Sequence, residues 1–142
     1  MISIFDQVGP TVPHHFAMRV RKGRIRTAAA FFTEFLGGWT EVKERRASLP
    51  WGEIRWIKNI FNPAVLVQLT EVYKDDGEWS NEMHLALACH FPRQAAMLTQ
   101  QLFVANLSAE EPVTTVEDLG NSKYWVEIRA VFGSPIEFVP IE

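Results

Sequence analysis

The sequence predicts an α+β fold built from two consecutive modules, each a strand, a helix and then three strands. Three observations carry this expectation. A histidine-headed strand, followed by a turn and a helical pattern, occurs at His15-Phe16-Ala17-Met18-Arg19-Val20 and again at His84-Leu85-Ala86-Leu87-Ala88-Cys89-His90. Three strand-like stretches follow each helical pattern. The triplet Glu53-Ile54-Arg55 recurs as Glu127-Ile128-Arg129 at what reads as the same place in each half, which marks an internal duplication.

A chain of 142 residues, 47% hydrophobic and 22% charged, is long enough for one real core. Residues 1–142 therefore read as a single domain with modules at about 14–72 and 83–142. Residues Met1 to Pro13 end in Gly9-Pro10-Thr11-Val12-Pro13 and read as a loosely held arm. The first strand runs from His15 to Val20 and is closed by Lys22 and Gly23. Apolar residues at Ile25, Ala28, Ala29, Phe32, Phe35 and Leu36 share one helical face, and Gly37 with Gly38 supplies the stop. Strands are expected at Trp39 to Ala47, Gly52 to Ile60 and Ala64 to Val72, with turns at Pro50 and at Asn62-Pro63.

The polar stretch Tyr73 to Asn81 reads as the connection between halves. A strand then runs from His84 to Phe91, and Pro92 marks a helix start. Ala95, Leu98, Leu102 and Phe103 form that helix's buried face, which reaches about Leu107. Strands follow at Val113 to Val116, Lys123 to Phe132 and Pro135 to Ile141, the last two joined as a hairpin through Gly133 and Ser134.

Side chains alternate between the two faces of a strand, so each strand sorts into two sets. Phe16, Met18 and Val20 oppose His15, Ala17 and Arg19. Val65, Val67 and Leu69 oppose Leu66, Gln68 and Thr70. Leu85, Leu87 and Cys89 oppose His84, Ala86, Ala88 and His90, and Ile136 with Phe138 opposes Glu137 and Val139. One set is suited to packing beneath a helix; the other carries His15, Gln68, His84 and Glu137. The same sorting places Ile54, Trp56 and Ile128 toward the helices and Arg55, Arg129, Glu53 and Glu127 on the opposite face, with Arg19 and Trp125. Arginines there could hold an anion by paired hydrogen bonds, while the two glutamates are equally placed to neutralise them.

Several function classes lack support. The net charge of −3 disfavours a nucleic-acid backbone as partner. Cys89 is the sole cysteine, so an intrachain disulfide and a cysteine-rich zinc site are excluded, and a reducing, cytoplasmic setting fits best. Sorted with Leu85 and Leu87, its thiol reads as buried and unreactive. No leader pattern and no bilayer-length apolar run is found, so no membrane partner is expected. Phosphate-cradling glycine loops, serine-hydrolase elbows and His-Glu-x-x-His helices are missing as well.

The order of elements and the four polar positions resemble the vicinal oxygen chelate superfamily, the glyoxalase, bleomycin-resistance and extradiol dioxygenase group, over about His15 to Ile141. The residues that carry the resemblance are His15 in His15-Phe16-Ala17-Met18-Arg19-Val20, Gln68 in Val67-Gln68-Leu69, His84 in Met83-His84-Leu85-Ala86-Leu87 and Glu137 in Pro135-Ile136-Glu137-Phe138. It implies two βαβββ modules forming a curved mixed sheet around a cleft, with helices on the outer face. It also implies a divalent metal held by His15, Gln68, His84 and Glu137, with zinc, nickel, iron, manganese and cobalt not distinguishable.

The activity implied is that of a metal-dependent lyase, isomerase or dioxygenase acting on a small oxygenated substrate by bidentate chelation. Glu137 would take a proton, and Arg19, Arg55, Trp125 and Arg129 would contact substrate. Gln68 stands where many metal-binding members have glutamate, and the chain is short for a two-domain dioxygenase. The alternative is a metal-free protein that sequesters a small molecule, as bleomycin-resistance proteins do. Modules of this kind pair within one chain or across a dimer, and a homodimer is expected here.

Overall fold

Each half of the chain closes its strands into a separate sheet. The computed structural model describes residues 3–10, 13–72, 79–80 and 83–141. Its first sheet holds β1 (Phe16–Arg21), β2 (Trp39–Glu41), β3 (Ala47–Leu49), β4 (Gly52–Asn59) and β5 (Leu66–Val72). The second holds β6 (Leu85–Cys89), β7 (Thr115–Gly120), β8 (Lys123–Glu127) and β9 (Ile136–Pro140). The strand orders are β1-β5-β4-β2, with β3 also on β4, and β6-β9-β8-β7. In both sheets the first strand runs parallel to the last, and the other pairs are antiparallel. The α+β class and the βαβββ order therefore stand.

Helix α1 (Ile4–Val8) precedes the first sheet, α2 (Ile25–Ala30) follows β1, and α3 (Pro92–Asn106) follows β6. Helix α2 continues directly into wider π-helical turns over Phe31–Leu36. It stops at Gly37 and Gly38, whose φ of 73° and 79° are left-handed values that a Cβ would disfavour. Helix α3 starts on Pro92, whose missing N–H costs nothing in the first turn. Among the described residues, no helix is long and apolar enough to cross a membrane.

The core joins the two halves. Met18, Ile57, Val67 and Leu69 from the first sheet and Val126, Ile136 and Phe138 from the second are buried, as are Ala28 and Ala29 of α2 and Ala96 and Phe103 of α3. Phe31 sits between the halves, with its ring centroid 5.7 Å from that of Phe103 and 5.9 Å from that of Phe132. Burying each such phenyl stabilises the fold by about 1.5–3 kcal/mol.

Several local expectations are corrected. The arm before the first strand contains α1, whose Ser3 and Asp6 each accept the other's backbone N–H, a capping arrangement. The strand expected from Trp39 to Ala47 is broken by a 3-10 turn at Lys43–Arg45 into β2 and β3, both paired to β4. The seventh strand lies at Thr115–Gly120, beyond the expected Val113 to Val116. The eighth ends at Glu127 rather than Phe132, because Ala130, Val131 and Phe132 are all buried and an alternating strand buries only every second residue. A helical turn replaces it, with the amides of Val131 and Phe132 donating to the Ile128 carbonyl at 3.0 and 2.9 Å.

This turn takes the place of a tight Gly133-Ser134 hairpin and carries Gly133 against β1. There the Gly133 amide donates to the Arg19 carbonyl at 3.0 Å, and an added Cβ would lie 3.1 Å from the Arg19 Cβ. The connection expected at Tyr73 to Asn81 lies outside the described residues except for Trp79 and Ser80, the latter donating its amide to the Gly133 carbonyl at 3.0 Å.

Candidate functional site

Cross-strand register assembles the same constellation in each sheet. In the second, Glu137 on β9 lies opposite Ala86 on β6 and Trp125 on β8, and His84 stands just ahead of β6. In the first, Gln68 on β5 lies opposite Ala17 on β1 and Trp56 on β4, and His15 stands just ahead of β1. Directly paired residues project to one face of a sheet. Each half thus presents a histidine, a tryptophan and an oxygen donor together, on the face away from the buried Met18, Val67, Leu69, Val126, Ile136 and Phe138.

The second constellation is tightly connected. His84 Nε2 lies 3.1 Å from Glu137 Oε2, with the two side chains 25% and 14% exposed. The Trp125 indole donates its N–H to the same Oε2 at 2.7 Å. The Trp125 and His84 rings are 5.2 Å apart between centroids. In the first constellation the His15 ring meets Trp56 edge-on, with centroids 4.7 Å apart, and its Nδ1 lies 2.9 Å from Nδ1 of His14. His14, two residues ahead of β1, thus belongs to this cluster.

The tryptophan register corrects the sorting of β4. Trp56 shares the face of Gln68, away from the helices, and Ile54 shares that face by opposing Thr70. The two Glu-Ile-Arg triplets are not equivalent: Trp56 corresponds to Trp125, so Ile54 lies two residues before its marker and Ile128 three after. That odd offset reverses the face. Ile128 is buried as expected, whereas Arg55 opposes Leu69 on the helix side.

The four sequence-derived substrate contacts therefore separate. Arg55 leaves the site: its guanidinium lies 3.6 Å from Glu41 and 3.5 Å from Glu53. Arg129 pairs with Glu127 at 3.2 Å and stacks over the Trp79 ring at 4.2 Å. Arg19 is exposed and opposes Thr70, and Trp125 is half-buried beside Glu137. A cation missed in the sequence, Arg45, comes from the turn between β2 and β3 and lies 5.8 Å from the Trp56 ring centroid. No local pattern marks it, because its aromatic partner is on another strand.

The chemistry of the donors suits a divalent ion. Two ligands each about 2.1 Å from one ion lie roughly 3.0–3.4 Å apart at ordinary coordination angles, and His84 and Glu137 stand at 3.1 Å. Trp125 then supplies the kind of outer partner that orients a ligating carboxylate. Among the described residues, no three His, Cys, Asp or Glu side chains gather into a metal-holding group. His84 and Glu137 form a pair on one sheet, and His15 with Gln68 stands on the other.

Solved structures share this architecture. The trypanothione-dependent glyoxalase I of Leishmania major aligns with a TM-score of 0.56 at 15% identity, covering 92% of this chain and 87% of that one. A possible glyoxalase from Bacillus cereus gives 0.54 at 12% identity, covering 92% and 99%. The genomically encoded fosfomycin resistance protein FosX of Listeria monocytogenes gives 0.54 at 7% identity, covering 94% and 93%. The chain has the vicinal oxygen chelate fold. No protein-family model and no curated protein matches its sequence. In this vicinal oxygen chelate fold, Cys89 lines the helix side of β6, and burial pushes its thiol pKa up.

Proposed function

We propose that the chain is a metal-dependent enzyme of the glyoxalase or dioxygenase type, acting on a small oxygenated substrate through two neighbouring oxygens. The ligands are His15, Gln68, His84 and Glu137. The observation that supports this most is the contact of His84 Nε2 with Glu137 Oε2 at 3.1 Å, with His15 and Gln68 at the matching strand positions of the other sheet. A bound divalent ion supplies a Lewis acid that polarises substrate oxygens. Glu137 carries the substrate proton, and Trp56 and Trp125 wall the cleft. Arg19 and Arg45 offer positive charge near its first half. A second copy of the chain completes the site, since the two donor pairs sit on separate sheets.

Elemental analysis of protein purified without chelators tests this reading, with bound divalent metal expected near one ion per chain and lost in His84→Ala. A metal content near zero that the substitution leaves unchanged would sink it. Sedimentation with and without added metal tests the pairing of copies.

A second reading, metal-free capture of a small molecule, is favoured by a cavity of about 470 Å3 between Trp39, Phe61 and Val65 on one side and Leu85 to Cys89 on the other. Calorimetric titration of chelator-treated protein with aromatic ligands tests it. Heat of binding that survives metal removal favours capture over catalysis.

A further inference from the structure

Glu137 is held from two directions at one oxygen. Its Oε2 accepts the Trp125 indole N–H at 2.7 Å and lies 3.1 Å from His84 Nε2. Trp125 reaches it because the two residues oppose each other directly on β8 and β9. An indole N–H only donates, so the contact needs no particular protonation state of the tryptophan. Since a carboxylate oxygen offers two lone pairs, the indole occupies one and leaves the other available beside His84. Among the described residues no side chain donates to Oε1.

The first sheet repeats the placement without the bond. Trp56 opposes Gln68, but its ring rests against His15, and among the described residues the Gln68 carboxamide has no hydrogen-bond partner. The duplicated tryptophans therefore act differently. We propose that Trp125 is a positioning residue whose indole N–H pins Oε2 of Glu137 beside His84 and leaves Oε1 for the substrate proton. The second sheet then supplies the fixed half of the site, and Gln68, free to turn its carboxamide, the adjustable half. Such a division suits a site that keeps its ion while one position yields to substrate oxygens. The assignment rests on the metal-dependent reading above, and its test separates the two.

The first measurement needs no metal. In metal-free, 15N-labelled protein the Trp125 Nε1–H resonance, assigned by triple-resonance spectroscopy, is expected to move more than any other indole signal on Glu137→Gln. The second uses cobalt(II) as the probe, with affinity read by calorimetry and ligation by visible absorption. Outer-partner losses weaken metal binding about 10–100-fold, and Trp125→Phe is expected to do so with a changed ligand-field spectrum, because the released carboxylate can engage through both oxygens. His84→Ala should abolish uptake. An unmoved Trp125 indole signal, or a folded Trp125→Phe protein whose cobalt affinity and spectrum match the parent, overturns the positioning role. If the parent takes up no cobalt, the metal reading falls by itself, and the indole resonance alone decides the contact. Should Trp125→Phe not fold, the Glu137→Gln shift remains decisive.

Discussion

Trp56 lies directly opposite Gln68 across β4 and β5, on the face turned away from the helices. Its neighbour Ile57 opposes Val67, and both are fully buried. Register between strands, rather than the polarity of β4 itself, decides which of these two apolar residues belongs to the core.

Stability should follow that register. Ile57→Ala removes packed methyl groups and leaves a cavity, and is expected to cost about 2–5 kcal/mol. Trp56→Phe, on the half-open face, is expected to cost about 1 kcal/mol or less. Urea unfolding of both variants checks this. Equal losses, or a larger loss at Trp56, would contradict the side assignment.

Phe132 ties the modules together. Its ring lies 5.9 Å from Phe31 and 6.3 Å from Phe32 between centroids, and its backbone bridges to Val20 of β1. Phe132→Ala is expected to lower stability by about 3–5 kcal/mol. Because the contact is between modules, hydrogen exchange in that variant should rise at β1 and at β9 together. Exchange confined to the second sheet would show that the modules unfold independently.

The same residues show what could be read in advance. Parity worked for β1, β5, β6 and β9, where one alternating set is apolar throughout and the other carries the polar residues, and it placed His15, Gln68, His84 and Glu137 on the faces they occupy. It failed on β4, where Glu53 and Arg55 alternate with Ile54 and Trp56. A half-buried indole on the face away from the helices resembles an indole in a core, and the partner that lets Arg55 sit on the helix side, Glu41, belongs to another strand. The turn after Glu127 was hidden for a related reason: consecutive buried residues mimic a strand until their hydrogen bonds are known. Contacts of Trp125 with Glu137 and of His14 with His15 depend on side-chain geometry that periodicity does not encode.

Arg55 should therefore matter to folding and not to ligand binding. Its Nε and Glu41 Oε1 are both buried without a hydrogen bond, 3.6 Å apart. Arg55→Met leaves the Glu41 carboxylate with Arg46, whose guanidinium lies 2.5 Å away and has its pKa raised mainly by that hydrogen bond. Loss of one partner of a buried polar pair costs about 1–3 kcal/mol. Thermal melting should show that loss, while metal content stays at the parent level. A variant of parental stability with lost metal would return Arg55 to the site.

Cys89 gives a pH test of the helix-side assignment. Burial raises its thiol pKa, opposed in part by a backbone hydrogen bond from Phe91. Below the ordinary thiol range, near 8.5, the group is protonated in folded and unfolded chains alike and stability is unaffected. As pH rises through that value the unfolded chain loses its thiol proton first, so the folded state loses stability until its own, higher pKa is passed. The same shift keeps the thiolate scarce at neutral pH. Iodoacetamide should therefore label native Cys89 more slowly at pH 8 than the urea-unfolded chain, and the Cys89→Ala protein should lack this alkaline component of destabilisation. Equal labelling rates in the folded and unfolded chains would place the thiol in solvent and overturn the packing of β6 against its helix.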